Sequence, residues 1–190
     1  MNATAAGLVL AAGAGRRYGR PKALVEYEGR LLVERAVDTL RAGGCAPVVV
    51  VLGAAADRIR QRARLADATV VDTPQWSTGM ASSLRTGLEA VAGTDAPAVV
   101  VLLVDMPGVS AEAVRRVAAE ASPQALVMAG YGGDRRGHPV LLGREHWAGV
   151  ATAARGDAGA RDYLRQHAER VRVVPCGDVA DDHDIDVAGK

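Results

Sequence analysis

The sequence of 190 residues contains no phenylalanine, and aromatic residues make up only 3% of it. Proteins that bind single-stranded nucleic acid stack bases on aromatic side chains, so this composition argues against that class. Positive charge is not in excess either, because 23 lysine and arginine residues are balanced by 22 acidic ones. A general nucleic-acid or membrane-surface binder depends on such an excess. Any positively charged site must therefore be local.

Cysteine and long apolar runs are also scarce. The two cysteines, Cys45 and Cys176, belong to no C-x-x-C pair or zinc-type cluster, so we expect two reduced thiols. No stretch reaches the roughly 18 uninterrupted apolar residues of a membrane span. The N-terminus lacks the charged segment of a signal peptide. These absences predict a cytoplasmic protein, and its length suits one domain over residues 1–190.

Short apolar runs alternate with amphipathic stretches along the chain. The run Ala98–Val104 is the most apolar and is predicted to lie at the centre of a sheet. The other predicted strands are Gly7–Ala11, Pro47–Leu52, Ala68–Asp72, Ala125–Ala129, His138–Leu142 and Arg170–Val174. The predicted helices are Leu31–Ala42, Ala54–Arg64, Met80–Val91, Ala111–Ala121 with Ser110 as N-cap, and two stretches over about 144–154 and 158–168. This alternation predicts a three-layer α/β/α fold with an open, mostly parallel sheet, to which the Gly132-Gly133 turn could add an antiparallel pair.

The segment GLVLAAGAGRRYGRPKALV, residues 7–25, passes abruptly from an apolar strand to a loop rich in glycine and positive charge. In open α/β sheets, ligands bind beyond the carboxyl ends of the strands. Glycines let backbone N–H groups approach phosphate oxygens, and Arg16, Arg17 and Lys22 supply positive charge. We interpret the segment as a loop that wraps a nucleoside triphosphate. A solvated basic loop is the structural alternative.

Two other phosphate-binding patterns fit this loop poorly. A Walker loop needs a serine or threonine directly after its lysine, and here Ala23 follows Lys22. A dinucleotide fold needs G-x-G-x-x-G running straight into a helix, whereas Pro21 would break that helix. The second predicted strand also ends in Leu52-Gly53, without an acidic residue to hold a ribose.

Carboxylates occur at two further places that bear on this loop. Asp105 ends the predicted central strand, and the segment DDHDIDV supplies several more near the C-terminus. Mg²⁺ bound with a nucleotide takes one or two carboxylates besides phosphate oxygens and waters. Alone, Asp105 could cap a turn and the terminal segment could be a solvated acidic stretch. Beside a triphosphate loop, they indicate a magnesium site.

Several motifs together resemble the MobA-like nucleotidyltransferases, and most of all the molybdenum cofactor cytidylyltransferase branch. The first segment is similar to the family signature L-A-A-G-x-x-x-R-x-G-x-x-K. The resemblance continues, in order and over nearly the whole chain, with GMASSLRTGLEAV (79–91), LLVDMPGVS (102–110), RRGHPVLLG (135–143), GDAGAR (156–161) and DIDV (184–187). It implies the nucleotide-diphospho-sugar transferase type of α/β fold.

The resemblance also implies roles for individual residues. The implied catalytic residues are Arg17, Lys22 and Asp105, and the implied metal ligands are Asp105 and Asp186. The implied nucleotide-binding residues are Leu10, Ala11, Ala12, Gly13, Gly15, Arg16, Lys22, Gly79 and Ser82. Arg136 and His138 are implied to bind the acceptor. Two of these roles have structural alternatives, since Ser82 could cap a helix and His138 could be a purely structural histidine.

The reaction implied by the resemblance transfers CMP from CTP to the molybdopterin cofactor, with Mg²⁺ and release of pyrophosphate. CTP is favoured because residues 10–13 read L-A-A-G, where the guanylyltransferases typically carry L-A-G-G. A molybdenum hydroxylase is a further partner that the resemblance suggests. The alternatives are GTP, another phosphorylated acceptor, an NAD(P)H-dependent oxidoreductase like the nicotine blue oxidoreductases, and a non-catalytic cofactor carrier.

The sequence departs from the family pattern at three points. Tyr18 stands where the family usually has methionine, Met106 stands where the cytidylyltransferases commonly have glutamine, and the final D-I-D is not followed by Thr-Pro. None of these departures removes a charged ligand. The third predicts a less firmly anchored segment around Asp186, and the second weakens the assignment of the acceptor.

Overall fold

A computed structural model describes residues 4–186 of the chain. Its strands are β1 (Ala6–Ala11), β2 (Glu26–Tyr27), β3 (Arg30–Leu31), β4 (Val48–Leu52), β5 (Thr69–Asp72), β6 (Ala98–Leu103), β7 (Leu126–Gly130), β8 (Arg136–Gly143) and β9 (Val171–Pro175). Its α-helices are α1 (Leu32–Ala42), α2 (Ala56–Arg62), α3 (Met80–Ala92), α4 (Ala111–Ala118), α5 (Trp147–Ala153) and α6 (Arg161–Gln166).

A seven-stranded sheet in the order β5-β4-β1-β6-β8-β7-β9 forms the middle of the fold. β1 pairs in parallel with β4 and β6, β4 with β5, and β7 with β9. Only β8 runs against its neighbours, β6 and β7, among the strands of this sheet. The prediction of an open, mostly parallel sheet is confirmed, and so is the central position of the strand that begins at Ala98.

The apolar runs form strands because both faces of the sheet are covered by helices. Val9, Val50 and Val100 face one side, in a cluster with α1 and α4. Their neighbours along the strands, Leu8 and Val49, face the other side, in a cluster with α3, α5 and α6. All these side chains are buried, and each contributes about 1.5–3 kcal/mol by leaving water.

Several helices are shorter than predicted. α4 ends at Ala118 rather than Ala121, because Pro123 disfavours helical backbone at Ser122 and the chain turns before it. α6 begins at Arg161 rather than at residue 158, since Gly156 and Gly159 adopt positive φ angles of 48° and 55° in the turns before it. Among residues 4–186, no helix is long and apolar enough to cross a membrane.

Ser110 caps α4 as its sequence position predicts. Its Oγ accepts a hydrogen bond from the backbone N–H of Ala113 at 3.1 Å, which satisfies one of the free amides of the first turn. We expect Ser110→Ala to lower the free energy of unfolding by about 1 kcal/mol, measured by urea denaturation. Ser122→Ala is the control, because the Ser122 hydroxyl has no hydrogen-bond partner within residues 4–186. An equal loss in both variants would contradict the capping role.

Candidate functional site

The carboxyl ends of β1 and β6 open on a cavity of about 1030 Å³. Pockets of several hundred to about 1,000 Å³ hold cofactor-sized ligands. Because β8 is antiparallel to β6, it brings its first residues to this edge, and Arg136 and His138 therefore line the cavity together with Asp105. The edge collects groups that are distant in the sequence.

The loop after β1 forms one wall of the cavity. Gly15 has a φ of +62°, and a side chain there would place its Cβ 1.9 Å from the Arg20 carbonyl oxygen. Gly19 N donates to Gly15 O at 2.8 Å, which holds the loop in a tight turn. Within residues 4–186, the amide groups of residues 13–18 donate no hydrogen bond to a protein acceptor. Together with the exposed Arg16 and Arg17, these amides form an anion-binding surface.

Lys22, which follows this loop, lies between two carboxylates. Its Nζ donates to Asp105 Oδ2 at 2.7 Å and to Asp186 Oδ1 at 3.2 Å. The side chains of Lys22 and Asp105 are 16% and 17% exposed, whereas that of Asp186 is 45% exposed. Because the Lys22–Asp105 contact is largely shielded from water, it is the stronger of the two.

The terminal segment reaches the site by crossing the loop after β6. Ile185 N donates to Asp105 O at 3.0 Å, and Asp181 N donates to Gly108 O at 3.2 Å. The segment is thus held by main-chain hydrogen bonds, although it lacks Thr-Pro. The block that ends at Val187 is described only through Asp186.

These bonds bring three carboxylates together. Asp105, Asp184 and Asp186 each offer an oxygen, and the three oxygens lie within 4.8 Å of one another. Carboxylate oxygens at such separations are the hard donors that Mg²⁺ and Mn²⁺ prefer. The residues present therefore fit a divalent cation, and Asp184 is a candidate ligand beyond the two implied by the resemblance.

The charges in this cluster shift one another's pKa values. Partial burial opposes the charge of Lys22, but hydrogen bonds to Asp105 and Asp186 outweigh it and raise the pKa of Lys22 above its usual value. The hydrogen bond from Lys22 lowers the pKa of Asp186, and the charge of Arg17 adds to that effect. At neutral pH Lys22 is therefore positively charged and Asp186 is ionised.

All the predicted site residues except Ala11 and Ser82 line the one cavity. Ala11 is buried on the opposite side of β1, in the cluster with α1. Ser82 is buried and donates its hydroxyl hydrogen to the carbonyl oxygens of Gln75 and Gly79. Its neighbour Ser83 lines the cavity instead. The prediction for Ser82 was thus displaced by one residue of α3.

The turn before α6 brings residues that the sequence reasoning did not assign to a role. Asp157 and Gly159, together with Arg161 at the start of α6, line the same cavity. Gly156 O accepts from Ala81 N at 2.8 Å, which fixes this turn to the start of α3. The motif GDAGAR was a signal for these residues, since it is one of the blocks shared with the family.

His138 lies at an irregular point of the sheet. β7 and β8 pair through Met128 with Val140 and through Ala129 with Gly137, so His138 and Pro139 form a bulge. Burial lowers the pKa of His138 to about 4, despite the nearby negative charges of Asp105 and Asp182, while Arg161 adds to the lowering. The imidazole is therefore neutral at pH 7.

The lowered pKa of His138 predicts a loss of stability in acid. Unfolded His138, with a pKa near 6.5, takes up a proton more readily than the folded form, so stability falls as the pH drops from about 6.5 to about 4. We expect His138 to cost about 2 kcal/mol at pH 5 relative to pH 7. Urea unfolding of wild type and His138→Gln at pH 5 and pH 7 measures this change. The loss of unfolding free energy from pH 7 to pH 5 should be about 2 kcal/mol smaller in the variant. The same loss in both proteins would contradict the assignment.

Comparisons with known proteins identify the family of this chain. The family model described as the MobA-like NTP transferase domain matches residues 7–171. The nicotine blue oxidoreductase of Paenarthrobacter nicotinovorans is 42% identical over 187 residues, covering 95% of this chain and 91% of that protein. The molybdenum cofactor guanylyltransferase of Rhodobacter capsulatus is 33% identical, covering 80% and 73%.

A solved structure with the same fold contains manganese. The manganese complex of Rv0371c from Mycobacterium tuberculosis is 27% identical, with a TM-score of 0.78 and coverage of 96% of this chain and 94% of that one. The Rv0371c homologue from Mycobacterium sp. strain JC1 is 28% identical, with a TM-score of 0.81 and coverage of 96% and 90%. With the family model matching most of its length, the chain belongs to the MobA-like NTP transferase domain family.

Proposed function

We propose that the protein transfers a nucleotidyl group from a nucleoside triphosphate to a phosphorylated acceptor and releases pyrophosphate. The observation that carries this proposal is that the loop with the free amides and the carboxylate cluster of Asp105, Asp184 and Asp186 line one cavity. Such a pairing is what a triphosphate with its divalent cation requires. The whole chain is proposed to act as one catalytic domain.

The basic loop would hold the triphosphate. The free amides of residues 13–18 would donate to phosphate oxygens, and Arg16 and Arg17 would contribute charge-assisted hydrogen bonds. Asp105, Asp184 and Asp186 would hold a divalent cation, proposed to be Mg²⁺. When bound, this cation would neutralise phosphate charge. The manganese complex of a relative supports a divalent cation here.

The acceptor would lie on the opposite side of the cavity, where Arg136 and Arg161 can pair with its phosphate. One of its phosphate oxygens attacks the α-phosphorus as the bond from that phosphorus to the bridging oxygen breaks. Pyrophosphate leaves with the bonding electrons, and its charge is stabilised by Lys22 and Arg17. Since an acceptor phosphate is already ionised, no general base is needed, and neutral His138 would serve to position the acceptor.

For the nucleotide and acceptor, we propose CTP and molybdopterin. The base would contact the backbone of residues 10–12, and Trp76 also lines the cavity. The L-A-A-G at residues 10–13 supports CTP, since the guanylyltransferases typically carry L-A-G-G. GTP is the alternative, since the relative from Rhodobacter capsulatus is named a guanylyltransferase. A molybdenum hydroxylase as downstream partner and a cytoplasmic location remain predictions.

The 42% identity to a protein named nicotine blue oxidoreductase supports a second candidate, an NAD(P)H-dependent oxidoreductase. Against it, β4 ends at Leu52 and is followed by Gly53, so no carboxylate stands where a dinucleotide's ribose would be held. The transferase proposal accounts for the carboxylate cluster, and the oxidoreductase proposal does not.

A pyrophosphate-release assay with each of the four nucleoside triphosphates, Mg²⁺ and molybdopterin separates these candidates. We expect release with CTP and little with ATP, GTP or UTP. Release with GTP alone would replace CTP in the proposal. A parallel assay follows NADH and NADPH absorbance with nicotine blue as the oxidant, as the name of that relative suggests. Oxidation of either cofactor, without pyrophosphate release from any nucleotide, would overturn the transferase proposal.

A further inference from the structure

Lys22 contacts carboxylates directly, which is not the position expected of a residue that only binds phosphate. Its ammonium lies 2.7 Å from Asp105 Oδ2 and 3.2 Å from Asp186 Oδ1. The same two carboxylates supply oxygens to the cluster that fits a divalent cation. A cation held by Asp105 Oδ2 and Asp186 Oδ1 would take the place of the ammonium, and the two positive charges would repel one another.

We propose that Lys22 and the divalent cation compete for Asp105 and Asp186, so that Lys22 must leave the carboxylates before the cation can bind. Lys22 would thereby act as a built-in counter-ion, which holds together carboxylates that would otherwise repel one another. This inference rests on the proposed function in one respect, since a triphosphate is what receives the displaced ammonium.

The local geometry allows such a movement. Lys22 opens a single turn of 3-10 helix, Lys22–Leu24, directly after Pro21, and its carbonyl accepts from Val25 N. The backbone is therefore fixed, and only the side chain would have to move. Gly13 and residues 15–18 line the same cavity as Lys22, so a phosphate bound to their amides would attract its ammonium.

Competition has a measurable consequence for the affinity of the cation. The apparent affinity for the cation equals its intrinsic affinity multiplied by the fraction of molecules in which Lys22 has left the carboxylates. Removal of the ammonium should therefore tighten cation binding, even though it removes a residue that the reaction needs. A lysine that serves only to bind phosphate would affect cation binding, in the absence of nucleotide, only through its long-range charge. Its removal would then change the cation affinity no more than removal of another positive charge from the loop.

The test is a titration of the full-length protein with Mn²⁺ alone, followed by the electron paramagnetic resonance signal of the free ion. We expect Lys22→Met to bind Mn²⁺ at least tenfold more tightly than wild type. Arg20→Met is the matched control, because it removes the same charge from the same loop. Arg20 is exposed, and its guanidinium lies 6.0 Å from the Tyr18 ring centroid. This control should change the affinity less than twofold.

Equal or weaker Mn²⁺ binding by Lys22→Met would overturn the competition, as would an equal gain in Arg20→Met or no binding by any of the proteins. If Lys22→Met does not fold, Lys22→Gln provides the same comparison with a polar head group. Thermal unfolding adds a second measurement, in which Mn²⁺ should raise the melting temperature of the Lys22 variant more than that of wild type. Because neither measurement needs turnover, the absence of pyrophosphate release would contradict the proposed function and leave the competition standing.

Discussion

Asp105→Asn is expected to reduce kcat/KM for pyrophosphate release by about 10³-fold or more, while the protein remains folded. The substitution keeps the shape of the side chain but removes the charge shared by the cation and Lys22. A group that neutralises charge in a phosphoryl-type transition state typically contributes effects of this size. Turnover with saturating Mg²⁺ measures the loss of activity, and circular dichroism measures whether the protein remains folded.

Asp181→Asn is the matched control for this loss. Asp181 lies in the same terminal segment, but its carboxylate contacts exposed His183 and does not line the cavity. Its main-chain bond to Gly108 O is unaffected by the substitution. We expect turnover within about threefold of wild type. If Asp105→Asn retained normal turnover, the carboxylate cluster would not be the catalytic centre.

Gly15→Ala is expected to raise the KM for the nucleoside triphosphate by about 100-fold or to prevent its binding. The φ of +62° disfavours any side chain, and the new Cβ would lie 1.9 Å from Arg20 O. The clash is with backbone, so the loop itself must move, and the free amides of residues 13–18 move with it. Isothermal titration calorimetry with the nucleotide measures the change in affinity.

Gly19→Ala separates the clash from the backbone strain. Gly19 also has a positive φ, +90°, but its Cβ would meet no atom within 4 Å. The strain alone costs about 1–2 kcal/mol, so we expect a loss of stability and a loss of affinity below tenfold. Equal losses of affinity in the two variants would show that the loop tolerates movement and does not serve as a preformed anion site.

Much of the fold could be predicted from the sequence because its signals are local. The strand beginning at Ala98 is β-branched and apolar on both faces, a pattern that only a buried central strand requires. The hairpin of β2 and β3 was missed, since each strand has two residues and its turn uses Glu28 and Gly29 at positive φ in place of Asn-Gly. The bulge at His138 was missed as well, because it depends on the pairing of β8 with β7 rather than on its own residues.

The composition of the site was easier to predict than its contacts. The motifs identified Lys22, Asp105 and Asp186 as charged site residues, but they assigned the lysine to phosphate and the aspartates to metal. The direct ion pairs among them depend on the path of the terminal segment, which main-chain bonds such as that from Ile185 N to Asp105 O determine. Ser82 was preferred over Ser83 because a one-residue rotation of α3 cannot be resolved from the sequence.

The path of the terminal segment also affects when the protein becomes competent during its synthesis. Lys22 and Asp186 are separated by 164 positions, so a nascent chain on the ribosome can pair β1 with β4 and β6 long before Asp186 emerges from the exit tunnel. Such an intermediate lacks two of the three carboxylates of the cluster. Under the proposed function, the cation site is therefore completed only when the segment with Asp184 and Asp186 has been translated.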